Sequence, residues 1–237
     1  MITVATWNVL HRVHAENWGE DVVARWPDES ERVAAVAERL ARRTEQVIAL
    51  QEVSGDQLAA LRDALPGRTV HALRYPRVPA PRHGTCALRA PEEYLVLLAD
   101  GPSRQVGAAA FEDDPGKGAL AVETAGALVV ATHVSGDRRR TRQLARLAEL
   151  AAPAPGRPAI LLGDFNADRG VVAAALGTGF DVADLPPDAL PTRPPTPGST
   201  AQWIDHVVVR GGGTSSAAVE DAGGLSDHNL LRADVRR

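Results

Sequence analysis

The hydrophobic positions fall into many short strand-like runs, interrupted by a few stretches of helical period. Ile2 to Val9 is an apolar, β-branched run and predicts an opening strand. After Pro27, Asp28 and Glu31 stand at capping-box spacing, and Val33, Val36, Ala37 and Leu40 lie on one face of the helix that follows. Gln46 to Gln51 predicts a short buried strand. Ser54 and Gln57 form a second capping box ahead of Leu58, Leu61 and Leu65, and Pro66-Gly67 stops that helix.

The middle is strand-rich, with candidates at Thr69–Leu73, Tyr94–Leu98, Gln105–Phe111, Gly118–Glu123 and Ala127–His133. Asp100-Gly101, Asp114-Pro115-Gly116 and Ala125-Gly126 are the turns between them. A helix over Arg138–Ala151 turns Leu144, Leu147 and Leu150 inward; Ala159–Gly163 is a buried strand and Gly170–Leu176 a short helix. Six prolines between Pro186 and Pro197 predict a stiff loop, and the last strands are Trp203–Val209 and Leu230–Val235. No repeat and no dividing linker is visible, so residues 1–237 are expected to form one domain. Strands dominate without strict strand–helix alternation, which points to a layered α/β sandwich with much antiparallel sheet.

Composition narrows the class. Apolar residues make up 44% and charged residues 24%, a soluble globular balance that excludes disorder, collagen-like chains and coiled coils. No apolar run reaches the ~20 residues of a membrane helix, so no membrane anchor is expected. The net charge of -4 lends no support to binding nucleic acid by bulk electrostatics, though it leaves room for a local basic patch. A single cysteine, Cys86, excludes an intrachain disulfide and a Cys-rich zinc site. The N-terminus lacks the pattern of a secretory signal, so a cytoplasmic protein, expected as a monomer, is the default. Lys117 is the only lysine; we read the arginine bias as a genome effect without functional weight.

Polar residues interrupt or end the strands at recurrent places: Asn8, Glu52, His133, Asp164, Asn166, Asp205, Asp227 and His228. Taken one at a time, each is explained as a turn former or helix cap. Together they contain four carboxylates and two histidines, and carboxylates that converge repel one another and raise each other's pKa. A divalent cation removes that penalty, and hard oxygen donors favour Mg²⁺, Mn²⁺ or Ca²⁺ over zinc. Spacing alone does not establish that the residues converge.

The stretches Thr6-Trp7-Asn8-Val9-Leu10, Leu50-Gln51-Glu52-Val53, Ala131-Thr132-His133, Gly163-Asp164-Phe165-Asn166, Trp203-Ile204-Asp205-His206-Val207 and Ser226-Asp227-His228 resemble, in order, those of the endonuclease/exonuclease/phosphatase (DNase I-like) superfamily. The resemblance spans residues 6 to 228. It implies a four-layered α/β sandwich, two packed mixed β-sheets flanked by helices, with the site at one rim. It also implies a phosphodiester hydrolase using Mg²⁺, with Mn²⁺ as a plausible substitute. Glu52 would be the main metal ligand, assisted by Asn8 and Asp227. Asp164 would activate or orient the attacking water, Asn166 would hold the phosphate or that water, and His228, oriented by Asp205, would donate to the scissile phosphate. His133 would stand near the leaving oxygen. Position 206 departs from the pattern, with His where many relatives place Tyr.

Other residues carry weaker signals. His11 and His14 offer a second metal position or a substrate contact, against the alternative of a polar loop that contains histidines. Trp18 and Trp26 are expected to pack over the first helix, with base stacking as the second reading. Arg138, Arg139, Arg140 and Arg142 either grip flanking phosphates or form a solvated helix face. Arg74, Arg77, Arg82, His83 and Arg89 mark a basic, Pro-rich segment suited to a substrate loop. The expected substrate is therefore nucleic acid, RNA or DNA. A small phosphorylated metabolite or lipid headgroup is the alternative, because the chain is too short for long recognition insertions.

Overall fold

The computed structural model describes residues 1–152, 156–196 and 198–236. Pro197, at the end of the expected proline-rich loop, lies outside them. In chain order the elements are β1 (Ile2–Asn8), α1 (Arg12–Trp18), α2 (Val22–Arg25), α3 (Glu29–Ala41), β2 (Val47–Ser54), α4 (Gly55–Ala64), β3 (Arg68–Arg74), β4 (Glu93–Asp100), β5 (Ser103–Phe111), β6 (Asp114–Thr124), β7 (Leu128–His133), α5 (Arg140–Leu150), β8 (Ala159–Asp164), α6 (Arg169–Leu176), β9 (Phe180–Val182), β10 (Asp205–Arg210), β11 (Gly213–Glu220) and β12 (Leu230–Arg236).

The strands form two six-stranded sheets, ordered β11-β12-β1-β2-β4-β3 and β5-β6-β7-β8-β10-β9. Both are mixed, because β1 pairs with β2 and β7 with β8 in parallel while their other neighbours run antiparallel. Strand residues alternate between faces. The inner faces meet through Val4, Ala49, Leu95 and Leu97 of one sheet and Leu120, Val129, Ile160, Leu162 and Val207 of the other. The outer faces are covered separately. Val36, Ala37 and Leu40 of α3, with Leu58 and Leu61 of α4, pack on the first sheet. Leu144 and Leu147 of α5, with Val172 and Leu176 of α6, pack on the second. The four expected layers are therefore present, and Ser54 and Gln57 make the reciprocal capping box.

The structure departs from the expected elements in several places. Asp114-Pro115-Gly116, expected as a turn, begins β6, and the turn falls at Glu112-Asp113. Residues 12–18, expected as a polar loop, form α1, which His11 caps by accepting the Val13 N–H on its side chain. The stretch Gly213–Glu220 forms β11, and its small, polar residues gave no apolar run to read. β9 is only three residues long.

Topology gathers the marked residues. The two parallel pairs run their C-terminal ends to the same rim, delivering Asn8, Glu52, His133 and Asp164. The antiparallel neighbours begin there: Asp205 of β10 lies opposite Asp164, and β12 starts just after His228, with Leu231 opposite Thr6 of β1. His133 and Asp164 are paired across the parallel β7–β8 ladder.

Candidate active site

A cavity of about 560 Å³ opens at this rim, lined by Glu52, Lys117, His133, Asp164, Asn166, Asp227 and His228 at its base. A second cavity of about 580 Å³, bounded by β5 and α5, holds no histidine and none of the strand-end carboxylates, so the chemistry belongs to the first.

Asp164 is the hub. It is buried at the end of β8, with one oxygen accepting the Asn166 backbone N–H at 2.9 Å and the other the Asn8 side-chain amide at 3.2 Å. His133 Nε2 stands 3.3 Å from that second oxygen and His228 Nε2 3.9 Å away. Gly163 makes the approach possible: a Cβ there would run into the carbonyl of Thr132 on β7. Burial disfavours the charged carboxylate, but the His133 bond and the charges of His133, His228 and Lys117 outweigh it and hold Asp164 well below the usual carboxylate range.

His228 is fixed by its other nitrogen. Nδ1 pairs with Asp205 Oδ2 at 2.8 Å. Burial works against a charged ring, yet Asp205, Asp227 and Asp164 outweigh it and raise the His228 pKa to about 10. The dyad is propped from the proline-rich loop: Thr192 Oγ1 accepts the backbone N–H groups of Ile204 and Asp205 at 2.9 and 3.1 Å, and Thr192 O accepts that of Asn229 at 2.7 Å. Trp7 donates its indole N–H to His228 O at 2.9 Å.

Glu52 sits where the β2–β4 register shifts, with φ at 58°. Leu10 and Asn166 share that left-handed backbone, at 57° and 48°, and these three are the only such non-glycine residues among those described. Strained backbone of this kind concentrates at functional sites. Glu52 accepts the His11 backbone N–H at 3.3 Å and lies 3.9 Å from His133. Burial opposes its ionisation, while His14, Lys117 and His133 prevail and keep it charged. Behind it, His14 pairs with buried Glu93 at 3.0 Å. Asp227 meets Arg193 at 3.3 Å, and Arg193 also holds Glu20 at 3.1 Å.

Glu52 and Asp227 bring two carboxylates to one cavity, hard-oxygen donors that fit Mg²⁺ or Mn²⁺, while the Asn8 amide oxygen, buried at the end of β1, accepts the Leu10 N–H at 3.0 Å. A second group, Asp164, Asp205 and His228, has ligand atoms within 4.8 Å of one another. There the closest contact is the Asp205–His228 pair itself, a hydrogen-bonded relay that engages Asp205 Oδ2 and leaves the buried Asp205 Oδ1 without a partner among the described residues.

The weaker candidates separate. His11 is fully buried, with Nδ1 capping α1 and Nε2 3.1 Å from Pro91 O, so its ring faces no ligand. Arg138 is exposed on the turn before α5; Arg139 lines the cavity and pairs with Asp114 and Asp137; Arg140 donates to Asn166 O. His206 is buried, 2.8 Å from Ala167 O and edge-on to Phe165, and supports the Asp164 loop from below.

Lys117 was passed over in the sequence, yet its ammonium stands against the His133 ring, 3.1 Å from Nδ1. The available signal was its rarity: one lysine among 26 Lys and Arg residues marks a place where a compact ammonium, not a guanidinium fork, is kept. Arg32 was also missed. Fully buried, it donates to the carbonyls of Val9, Leu10 and Leu225 at 2.7 to 2.8 Å and pairs with Glu29 at 2.6 Å. It thereby ties the Asn8 turn to the loop that carries Asp227 and His228.

The model of the Endonuclease/Exonuclease/phosphatase family matches residues 5–228. The chain belongs to this family. The activities in the family's name are all phosphoester hydrolyses, and the chain is by family a phosphoester hydrolase. Its fold is DNase I-like. TDP2 of D. rerio, complexed with a single-strand DNA product, superposes at a TM-score of 0.70 with 15% identity, covering 100% of this chain and 99% of that one. The mannosyl-6-phosphatase Bt3783 of Bacteroides thetaiotaomicron gives 0.66 with 17% identity over 100% of both chains. An endonuclease/exonuclease/phosphatase from Bacteroides vulgatus gives 0.67 with 18% identity, covering 99% of this chain and 98% of that one. No curated protein matches the chain in sequence. No helix among the described residues is long and apolar enough to cross a membrane.

Proposed function

We propose that this family member is a divalent-metal-dependent phosphodiester hydrolase that cuts nucleic acid by in-line attack of water. The observation that carries the reading is the grouping of Asp164 between His133 and His228, with Asp205 behind His228 and Glu52 alongside. Asp164, kept ionised, accepts a hydrogen bond from the attacking water and activates or orients it. Asn166 lines the cavity beside it and positions that water or the phosphate. His228, kept protonated by Asp205, donates to the phosphate oxygen on which charge develops. His133 and Lys117 face the leaving oxygen. Asn8, Glu52 and Asp227 would hold Mg²⁺ or Mn²⁺, which supplies charge neutralisation on the phosphate when bound.

Nucleic acid is preferred because Arg77, Arg139 and Arg193 line the same cavity, in a chain that is acidic overall, and the D. rerio TDP2 structure contains single-strand DNA product. Labelled single- and double-stranded RNA and DNA, incubated with Mg²⁺ or Mn²⁺, should include at least one cleaved strand, with chelation abolishing the cut. Failure to cut any of them overturns the nuclease reading. Release of inorganic phosphate from monoesters by the same preparation would select the small-substrate alternative, which the mannosyl-6-phosphatase neighbour and the limited cavity volume of about 560 Å³ favour.

A further inference from the structure

Trp18 and Trp26 belong to one stretch of sequence and end in opposite surroundings. Trp26 packs beside Leu10, Ala15 and Val22 and donates its indole N–H to Gly224 O at 3.0 Å, as expected of a structural residue. Trp18 ends α1 with 66% of its surface exposed, and it lines the catalytic cavity. That overturns the expectation that it packs over the first helix.

The Trp18 ring is already organised. The Arg82 guanidinium lies 4.3 Å from the ring centroid, covering one face. Arg82 is itself tethered: its backbone N–H donates to Asn17 Oδ1 at 2.7 Å and its guanidinium to Asn17 O at 3.2 Å, while Asn17 Nδ2 reaches Ala80 O at 3.0 Å. On the other side, Gly19 leaves the helix with φ at 67°, which turns the chain so that Glu20 meets Arg193 at 3.1 Å and Arg193 meets Asp227 at 3.3 Å. A chain of contacts therefore runs from the Trp18 segment to a residue of the site.

We propose that Trp18 is a base-stacking platform, and that the nucleotide beside the scissile phosphate presents an unpaired base to it. The inference rests on the nucleic-acid reading above and refines it to a single strand or frayed end, because a base engaged in a duplex has no free face to offer. The indole, backed by a guanidinium, supplies a sequence-tolerant surface at the cavity mouth, while Arg139 and Arg193 line the same cavity and could meet backbone phosphates.

The test is equilibrium titration of adenosine 5′-monophosphate and ribose 5-phosphate in Mg²⁺, in a His228→Ala background so that ester turnover is slow against the titration. The protein with Trp18 should bind the nucleotide about tenfold or more tightly than the sugar phosphate. Trp18→Ala should lose that ratio and Trp18→Phe should keep most of it. An equal ratio in Trp18→Ala, or equal affinity of both ligands for the protein with Trp18, overturns the platform. Loss of the ratio in Trp18→Ala, together with wild-type protein that leaves every oligonucleotide uncut, supports the platform and overturns the nuclease reading instead.

Discussion

The base of the cavity and its mouth are built in different ways. At the base, Asn8, His133, Asp164 and Asp205 sit at strand ends, buried, with spacing dictated by ladder register. At the mouth, Trp18, Arg82, Arg139 and Arg193 come from a helix end, loops and a turn; Arg82 covers Trp18 and Arg193 meets Glu20, while Arg139 pairs with Asp114 and Asp137. A register cannot drift by one residue without turning a whole strand inside out. The base is therefore held by the entire fold, which is shared with structures that are only 15 to 18% identical to this chain. Mouth residues are constrained only locally, and we assign the choice of substrate to them.

Substitutions that separate the two regions should fall in a steep order. At the base, Asp164→Ala or His228→Ala should lower kcat by about 10²- to 10⁴-fold on whichever phosphoester is cleaved, with the circular dichroism spectrum retained. A rate close to wild type in both would refute the assignment of the base. Glu52→Gln should act through the cation, raising the Mg²⁺ concentration for half-maximal rate by about tenfold or more, and a metal titration would show it. An unchanged titration would remove Glu52 from the metal ligands.

Asp205→Asn tests the base by pH. The Asp205 carboxylate favours the protonated His228 ring, whose pKa stands near 10. Neutralising Asp205 lowers that pKa, so the fall in rate on the alkaline side should move to lower pH, beyond the general loss of rate. A pH–rate profile with the same alkaline limb would show that Asp205 does not set the His228 charge. At the mouth, Arg139→Ala should raise KM several-fold and leave kcat nearly untouched, because Arg139 contacts Asp114 and Asp137 and none of the reacting groups. A fall in kcat comparable to that of His228→Ala would erase the distinction between base and mouth.

The base was legible in the sequence and much of its support was not. Asp164 announced itself because a carboxylate ends the aliphatic run Ile160–Leu162, and Glu52 because it follows Leu50-Gln51. Arg32 gave no such sign. Its partners Val9 and Leu225 lie 23 and 193 residues away, so nothing local distinguishes it from Arg39, the other arginine of α3. Thr192 was hidden in the same way, as one small hydroxyl in a proline-rich loop that proved to be the prop of Asp205. Lys117 was visible and misjudged.

The sequence by itself determined the class of fold, the family and the inventory of chemical groups, because periodicity and short motifs are local properties of the chain. Only the tertiary structure decided which groups meet. Two parallel strand pairs bring Asn8, Glu52, His133 and Asp164 to one rim, and two antiparallel strands starting there add Asp205 and His228. It also separated residues that look alike in sequence: His11 caps a helix while His228 faces the cavity, and Trp26 packs inside while Trp18 stands at the mouth. The reason is physical. A side chain's role depends on the charge, burial and partners around it, and those come from segments tens or hundreds of residues away.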